Sequence, residues 1–273
     1  MRVAVLGHVE WIEFVRVPHV PGAGDIVHAS AAWQEPGGGG AVAAVQLARL
    51  AGGCTFLTAL GDDALGRRAH AELTALGLRI SPSWRGEAQR RAFTHVDDAG
   101  ERTITVIGER MAPRAADPLD WDVLADMDAV YVTAGDPAAL RLARRARVMV
   151  ATARILAVVR AAGVELDALV GSDRDPAERY VDGDLEVRPR IVVRTAGAAG
   201  GHVAIDGVDV AYPPAPLPGP VVDAYGCGDA FAAGLTFALG AGEAAGAAVA
   251  FAARCGAAAL TGRGPYAGQL RGA

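Results

Sequence analysis

The sequence predicts an α/β fold in which a mostly parallel sheet carries helices on both of its faces. Three observations lead to this prediction. Apolar runs typical of buried strands alternate with helical patterns along most of the chain. The composition is 52% hydrophobic but only 5% aromatic, so the core must consist of small and aliphatic side chains. A length of 273 residues suits one large domain, and we predict a single domain over residues 1–273.

The N-terminal part opens with a strand and then departs from the strand–helix alternation. Residues 3–9 are typical of a buried strand. Residues 11–33 contain two strand-like runs around a Pro/Gly turn, which predicts a β-hairpin. The elements expected next are a helix, a strand and a helix, over residues 41–50, 54–60 and 64–76.

A second hairpin is predicted over residues 91–107. Alternating side chains at 92–96 and 103–107 flank the turn 97–100, which has the Asp/Gly composition of a hairpin turn. We predict that the hairpins 11–33 and 91–107 pair into one small sheet that acts as a lid over the active site. Two independent surface hairpins are the alternative.

Beyond residue 107 the alternation resumes, which favours a continuing parallel sheet. Helices are expected over residues 119–127, 137–146, 154–162, 229–239 and 243–260. Strands are expected over residues 129–133, 148–151, 168–170, 191–195, 201–205 and 208–212, the last two as a hairpin.

Composition excludes several classes of function. A net charge of −5 argues against a nucleic-acid-binding surface, which needs clustered Lys and Arg. Charged residues interrupt every long apolar run, so we expect no membrane helix. The N-terminus lacks the pattern of a signal peptide, and we expect a cytoplasmic protein. The cysteines Cys54, Cys227 and Cys255 have no CxxC spacing, so neither a zinc site nor a disulfide framework is expected.

The most informative stretch is Asp223-Ala-Tyr-Gly-Cys-Gly-Asp229, directly before a helical pattern. Glycines ahead of a helix let the amides of Gly226, Cys227 and Gly228 converge, and the unpaired N–H groups of a first helical turn bind anions. A carboxylate beside an anion site suits a base that takes a proton from a hydroxyl attacking a phosphoryl group. The alternative is that Asp229 serves only as the helix N-cap.

A glycine run, Gly37–Gly40, precedes the helix predicted at residue 41. It either allows close helix packing or lets backbone amides face a small ligand. It is not a Walker loop, because no Gly-Lys-Ser/Thr follows, and we expect no strand immediately before it, as a Rossmann loop would need.

Two further turns carry candidate ligand-binding residues. The turn containing Thr195, Gly197 and Gly200 follows a strand, and its amides and hydroxyl either line a nucleotide or form an ordinary tight turn. The segment from Ser172 to Asp175 follows another strand, where a carboxylate is well placed to organise Mg²⁺ through water. Asp175 precedes a proline, so a helix N-cap is the alternative role.

The order of these pieces resembles that of the ribokinase-like (PfkB) carbohydrate kinase family over nearly the whole chain. An N-terminal strand and hairpin, the glycine run, Gly61-Asp-Asp-Ala-Leu-Gly66 and the motif at residues 223–234 follow one another as in that family. The resemblance implies a ribokinase-like three-layer αβα sandwich with a small β lid. It also implies ATP-dependent phosphorylation of a hydroxyl group.

The resemblance implies roles for the candidate residues. It assigns Asp229 as the catalytic base, with the Gly226–Gly228 amides as the anion hole. The nucleotide would lie against Thr195, Gly197 and Gly200. Ser172 and Asp175 stand where the family has its Mg²⁺-organising Asn-x-x-Glu, with both positions changed. A loop for a monovalent cation such as K⁺ would comprise Asp223, Tyr225 and Gly264.

Two departures lie on the substrate side. Val42 stands where the family has a sugar-contacting Asn, and Ile12 where it has an Asp that holds sugar hydroxyls. Without the side chains of that Asn and Asp, the hydroxyls of a bound sugar would lack hydrogen-bond partners, so a simple ribose or fructose kinase is not expected. We assign substrate contacts to Glu10, Glu13, Gly38, Gly39, Gly40 and Arg91. The alternative for Arg91 is an ordinary exposed strand arginine.

These observations predict an ATP- and Mg²⁺-dependent kinase acting on a small polyhydroxylated molecule, either a modified sugar or a nucleoside. A homodimer through the lid is the expected assembly. The alternative is a ligand-binding or regulatory protein on a kinase scaffold. A dinucleotide-binding oxidoreductase is set aside, because no Gly-x-Gly-x-x-Gly joins the first strand to a helix.

Overall fold

In the computed structural model, which describes residues 1–272, helices cover both faces of a large central sheet. The strands are β1 Val3–Leu6, β2 Glu10–Arg16, β3 Ala31–Gly37, β4 Cys54–Leu57, β5 Ala59–Gly61, β6 Leu78–Ile80, β7 Ser83–Arg85, β8 Arg91–Val96, β9 Arg102–Ile107, β10 Ala129–Val132, β11 Val148–Thr152, β12 Ala168–Ser172, β13 Ile191–Thr195, β14 Gly201–Ile205 and β15 Val208–Tyr212. The α-helices are α1 Gly39–Ala51, α2 Ala64–Ala75, α3 Pro137–Ala143, α4 Leu156–Ala162, α5 Cys227–Gly240 and α6 Ala245–Ala259. Short 3₁₀ helices span Trp121–Asp126, Ala153–Ile155, Pro176–Glu178 and Gly197–Ala199.

The central sheet has the strand order β15-β14-β13-β12-β11-β10-β1-β4-β6. The strands from β13 to β6 are mutually parallel, whereas β14 and β15 continue the sheet antiparallel at one edge. The carboxyl ends of the parallel strands therefore open onto one edge of the sheet, where α/β proteins bind their ligands.

Strand β1 shows how the two faces are covered. Its residues Val3 and Val5 belong to an apolar cluster that includes side chains from α1, α2, α5 and α6. Ala4 and Leu6 point to the opposite face and belong to a cluster with α3 and α4. All four side chains are fully buried, as expected for a strand in the middle of a parallel sheet.

The two predicted hairpin regions pair with each other in a four-stranded sheet of order β3-β2-β8-β9, called here the small sheet. Strands β2 and β8 are parallel, with Trp11 opposite Arg91. Its inner side packs through Phe14, which stacks on Trp33 with 5.0 Å between ring centroids and meets Tyr225 edge-on. The turn of its second hairpin reaches the loop before α5, where the amide of Ala224 donates to the carbonyl of Gly100.

Several local expectations are corrected by the structure. Residues 119–127 hold a 3₁₀ helix rather than an α-helix, and the strand expected over 54–60 divides into β4 and β5. The three-residue strands β5, β6 and β7 are too short to produce a recognisable periodicity. Strand β3 runs to Gly37 and directly precedes α1, contrary to our expectation, because Pro36 and the glycines give it the composition of a loop.

Within residues 1–272, no helix combines the length and the hydropathy that crossing a membrane requires.

Candidate active site

A cleft of about 730 Å³ lies along the carboxyl edge of the parallel strands. Its residues follow the order of the strands, with His8 after β1, Thr133 after β10, Thr152 on β11, Ser172 on β12 and Thr195 on β13. Neighbouring strands lie about 4.8 Å apart, so these five ends extend over roughly 19 Å. The small sheet and the N-termini of α1 and α5 also contribute to its lining.

The N-terminus of α5 brings uncapped amides to the cleft. Gly226 is its N-cap, with a left-handed φ of 75°, and no side chain caps this end. A Cβ at Gly226 would lie 2.8 Å from Val42 Cγ1, so glycine is required for space as well as for backbone conformation. The first amides of the helix have no intrahelical partner, and those of Cys227 and Gly228 lie at the cleft.

Asp229 is the third residue of α5, and the N-cap position belongs to Gly226. This arrangement removes the alternative that Asp229 is only a cap. The side chain is half-buried and lines the cleft. Burial raises the pKa of Asp229 to about 7, the charge of Glu178 adds to this effect, and Arg102 and Arg154 oppose it. A carboxyl group that titrates near neutral pH is suited to general-base chemistry.

The N-terminus of α1 faces the same point. Its N-cap is Gly38, again without a side-chain cap, and the Gly38 amide donates a hydrogen bond of 3.0 Å to the Tyr225 hydroxyl. A Cβ at Gly39 would lie 2.7 Å from Asp229 Oδ1. Gly38 and Gly39 therefore line the cleft, whereas Gly40 packs against the backbone of His8 and lies outside its lining.

The loop predicted to hold a monovalent cation is organised by Asp223, which is fully buried. One of its carboxylate oxygens accepts from the Tyr225 amide at 2.8 Å and the other from the Gly264 amide at 2.9 Å. Burial raises the pKa of Asp223, while these two hydrogen bonds lower it. Asp223 and Gly264 lie behind the cleft wall, and Tyr225 reaches the cleft.

The segment predicted to organise Mg²⁺ is held by an ion-pair network. Asp175 caps the 3₁₀ helix Pro176–Glu178 by accepting from the Ala177 amide at 2.9 Å, and it also pairs with Arg154. Arg154 lies 2.7 Å from Glu178 as well. The Ser172 hydroxyl accepts from the amide of Arg174 at 3.2 Å. The carboxylates at this point of the cleft are thus already matched by an arginine.

The turn predicted to contact a nucleotide is only partly at the cleft. Thr195 and Gly197 line it, and Arg174 lies beside Gly197. Gly200 closes the turn by accepting from the Ala196 amide at 2.7 Å, and it packs against the backbone at the end of β15. Gly200 therefore lies outside the cleft lining.

The opposite end of the cleft contains Glu10, which is buried. Glu10 Oε1 lies 2.8 Å from Arg90 Nε and 3.8 Å from His8 Nε2. Burial is the main cause that raises the pKa of Glu10 and lowers the pKa of His8 well below its ordinary value. His8 is consequently neutral at pH 7, and Arg110 completes this end.

The structure does not bring Glu13 and Arg91 to the cleft. Side chains on a strand alternate between the two faces of a sheet. Glu13 therefore points to the face opposite that of Glu10, Ile12 and Phe14, and it is exposed. Arg91 is opposite Trp11 on β2 and is exposed too. The structure therefore places Glu13 and Arg91 outside the cleft lining expected for them, whereas Arg90 lies within it.

The cleft lining includes residues that were not predicted from the sequence, among them His8, Arg90, Arg110, Arg154 and Glu178. Arg90 and Arg110 flank the β8–β9 hairpin, and an antiparallel hairpin brings its two ends together, so the hairpin signal could have identified this pair. Glu178 could not be found in this way, because its place depends on the ion pair with Arg154, which lies in the 3₁₀ helix after β11.

The chain is similar in sequence to known proteins. The sequence model of the family described as "pfkB family carbohydrate kinase" matches residues 1–159 and 146–270. An ATP-dependent ribose-1-phosphate kinase of Halopiger xanaduensis is 30% identical over 251 residues, which cover 85% of this chain and 82% of that protein.

Solved structures show the same ribokinase-like fold. The ribokinase of Thermotoga maritima superposes with a TM-score of 0.80 at 21% identity, covering 99% of this chain and 96% of that one. The ribokinase of Arabidopsis thaliana, in complex with ribose and ATP, superposes with a TM-score of 0.73 at 19% identity, covering 96% and 93%.

Proposed function

This chain belongs to the pfkB family of carbohydrate kinases, and from that premise we propose that it transfers the γ-phosphoryl group of ATP to a hydroxyl of a small polyhydroxylated sugar. The observation that carries the proposal is the position of Asp229 within the first turn of α5, at a cleft that the unpaired amides of that turn also reach.

In the proposed reaction the acceptor hydroxyl oxygen attacks the γ-phosphorus, forming one O–P bond while the O–P bond to ADP breaks. The hydroxyl proton goes to Asp229, whose pKa of about 7 leaves a large fraction of the carboxylate ionised at neutral pH. The amides of Gly226, Cys227 and Gly228 donate to the phosphoryl oxygens as their charge is redistributed.

We place the nucleotide at the end of the cleft formed by β12 and β13. The Thr195 hydroxyl, the amides around Gly197 and the exposed Arg174 supply donors suited to a polyphosphate. Gly200 supports this turn from behind, so its proposed contribution is to the turn's shape.

The cations expected for such a kinase fit this chain unequally. In the described part of the chain, no three His, Cys, Asp or Glu side chains gather as a metal cage. Asp175 and Glu178 are paired with Arg154, so we propose that Mg²⁺ arrives on the ATP phosphates and keeps most of its waters. When bound, it would neutralise phosphate charge.

A K⁺ requirement stays a prediction. Both carboxylate oxygens of Asp223 already accept backbone hydrogen bonds, which favours a structural role for this residue in the free protein. Comparing turnover in K⁺ with turnover in an equal concentration of tetramethylammonium measures the requirement directly.

The acceptor site differs from a simple sugar site. Val42 and Ile12 are fully buried in an apolar cluster with Tyr225, so these positions offer no donor or acceptor to a sugar hydroxyl. Glu10 and the Gly38–Gly39 backbone are the contacts we propose instead. Because the Halopiger relative is named a ribose-1-phosphate kinase, ribose 1-phosphate is the first acceptor to test.

The test is ADP release from ATP·Mg²⁺ by the purified protein across sugars, sugar phosphates, polyols and nucleosides, with the Asp229→Ala protein alongside. We expect one acceptor class to give turnover that falls by about 10²–10⁴-fold in the variant. Turnover within about tenfold of the wild type would show that Asp229 is not the base. Ligand binding without ADP release would favour the alternative of a binding protein on a kinase scaffold. Dimerisation through the small sheet also stays a prediction, which sedimentation analysis measures.

A further inference from the structure

The acceptor end of the cleft has an imbalance of charge. Two guanidinium groups, Arg90 and Arg110, line it together with the carboxylate of Glu10. The Arg90 side chain is only 12% exposed and is paired with Glu10, whose side chain is 9% exposed. His8 contributes no compensating charge. One positive charge at this end therefore has no counterpart.

Arg110 is the arginine without a counterpart. Its Nε is buried and has no hydrogen-bond partner in residues 1–272. The charged groups acting on it are Arg90 and Arg154, which repel it, and Glu10, which Arg90 already pairs. Arg110 as a whole is half-buried, and a partly desolvated charge without a partner is unfavourable unless a counter-ion or a ligand compensates it.

The nucleotide does not explain this pair of arginines. Arg90 and Arg110 line the cleft together with Glu10 and His8, whereas the proposed nucleotide contacts Thr195 and Gly197 lie on and after β13. The charges of Arg110, Arg90 and Arg154 all act on His8, which follows β1, four strands from the end of β13. The pair thus lies on the acceptor side of the base.

We propose that Arg90 and Arg110 bind a phosphate group already present on the acceptor, so that the substrate is a phosphorylated sugar and the product a sugar bisphosphate. This inference rests on the proposed function and names the chemical class of its acceptor. Planar guanidinium groups bind phosphate oxygens through paired N–H donors. Glu10 then accepts a hydrogen bond from a sugar hydroxyl, and the arginines determine which acceptors bind.

Binding without ATP tests the inference apart from catalysis. Calorimetric titrations would use ribose 1-phosphate, ribose 5-phosphate, ribose and inorganic phosphate. At least one pentose phosphate is expected to bind about tenfold or more tightly than ribose, with an affinity that falls as salt is raised. Arg110→Gln is expected to weaken that binding by about tenfold or more. Arg110→Lys keeps the positive charge but lacks the paired N–H donors of the guanidinium group, so it should recover part of the lost affinity.

The matched control is Arg91→Gln, which removes the same charge from the neighbouring position that faces away from the cleft. It should leave the Kd for the pentose phosphate within about twofold of the wild type. Thermal unfolding of each variant verifies that it is folded.

Two results would overturn the inference: equal affinity for ribose and the pentose phosphates, or equal losses in Arg110→Gln and Arg91→Gln. ADP release with a neutral sugar, unaffected by Arg110→Gln, would also overturn it while leaving the kinase proposal intact. Arginine-dependent binding of a pentose phosphate without ADP release would support the phosphate site and count against the kinase proposal.

Discussion

The amide of Gly38 donates a hydrogen bond of 3.0 Å to the hydroxyl of Tyr225, and this bond joins the starts of two helices. Gly38 is the N-cap of α1, and Tyr225 immediately precedes Gly226, the N-cap of α5. The start of α1 faces Asp229, which belongs to the first turn of α5. The bond therefore fixes the distance between the glycine run and the proposed base.

Replacing Tyr225 with Phe is expected to lower both the free energy of unfolding and kcat. The ring keeps its edge-on contact with Phe14, but the Gly38 amide loses its acceptor, which costs about 1–3 kcal/mol. Urea unfolding measures this loss, and kcat should fall with it. Tyr212→Phe is the control, because the Tyr212 hydroxyl has no hydrogen-bond partner in the described chain. Equal losses in the two variants would contradict the role given to this bond.

Gly39→Ala is expected to impair catalysis without impairing nucleotide binding. The added Cβ would lie 2.7 Å from Asp229 Oδ1 and must displace the carboxylate. A displacement of about 1 Å can cost roughly 10²-fold in rate, so kcat should fall at least about tenfold while the Kd for ATP is maintained. Gly246→Ala on α6, where a Cβ meets nothing within 4 Å, should be neutral or slightly stabilising. Unchanged kcat in Gly39→Ala would show that Asp229 does not act from this position.

The pH dependence of kcat/KM should report the ionisation of Asp229. A base must be deprotonated to act, so the rate should rise through about pH 7 and level off above it. Glu178→Gln removes a charge that raises this pKa and frees the opposing charge of Arg154, so the rise should move to lower pH. Glu186→Gln, an exposed site away from the cleft lining, is the control. If the pH at which kcat/KM rises is unchanged or higher in Glu178→Gln, the profile does not report the ionisation of Asp229.

Asp229→Asn should make the folded protein more stable at pH 8 while it abolishes activity. The pKa of Asp229 is about 7 in the folded state against an ordinary value of 3.8, so the folded state holds a proton that the unfolded chain has released between these values. Stability from this group is therefore complete below pH 3.8 and is lost as the pH rises through about 7.

Asparagine does not ionise, so the Asp229→Asn protein avoids the loss of stability that accompanies ionisation of this carboxyl group. Since water screens the half-exposed carboxylate, we expect a gain of about 1 kcal/mol at pH 8, or roughly 2–4 °C in Tm. The gain should shrink towards pH 4. A Tm difference independent of pH would be inconsistent with the raised pKa.

The parts of the site that depend on neighbouring residues in the chain were predictable, and the parts that depend on distant ones were not. The glycines around Cys227 and the position of Asp229 are local features of one strand–helix turn. Glu178 and Arg154 come together only through the pairing of β11 with β12, which no single segment encodes. Arg91 is one residue away from the cleft-lining Arg90. On a strand, successive side chains point to opposite faces, so Arg91 faces solvent where Arg90 faces the cleft.

The same distinction holds for the fold. Strands buried on both faces, such as β1, have continuous apolar sequences and were identified, although their ends shifted by a few residues. The three-residue strands and the 3₁₀ helix Trp121–Asp126 were missed or misassigned, because their structure is set by the elements packed around them.

The strand order along the cleft separates the proposed contacts into two portions of the chain. The proposed acceptor contacts lie within residues 8–110 and the proposed nucleotide contacts within residues 172–197, with the proposed base following at Asp229. On the proposed function, substitutions within residues 8–110 can change the choice of acceptor while the groups proposed to bind ATP stay as they are. Exchanging this portion between relatives is therefore a direct way to transplant acceptor specificity.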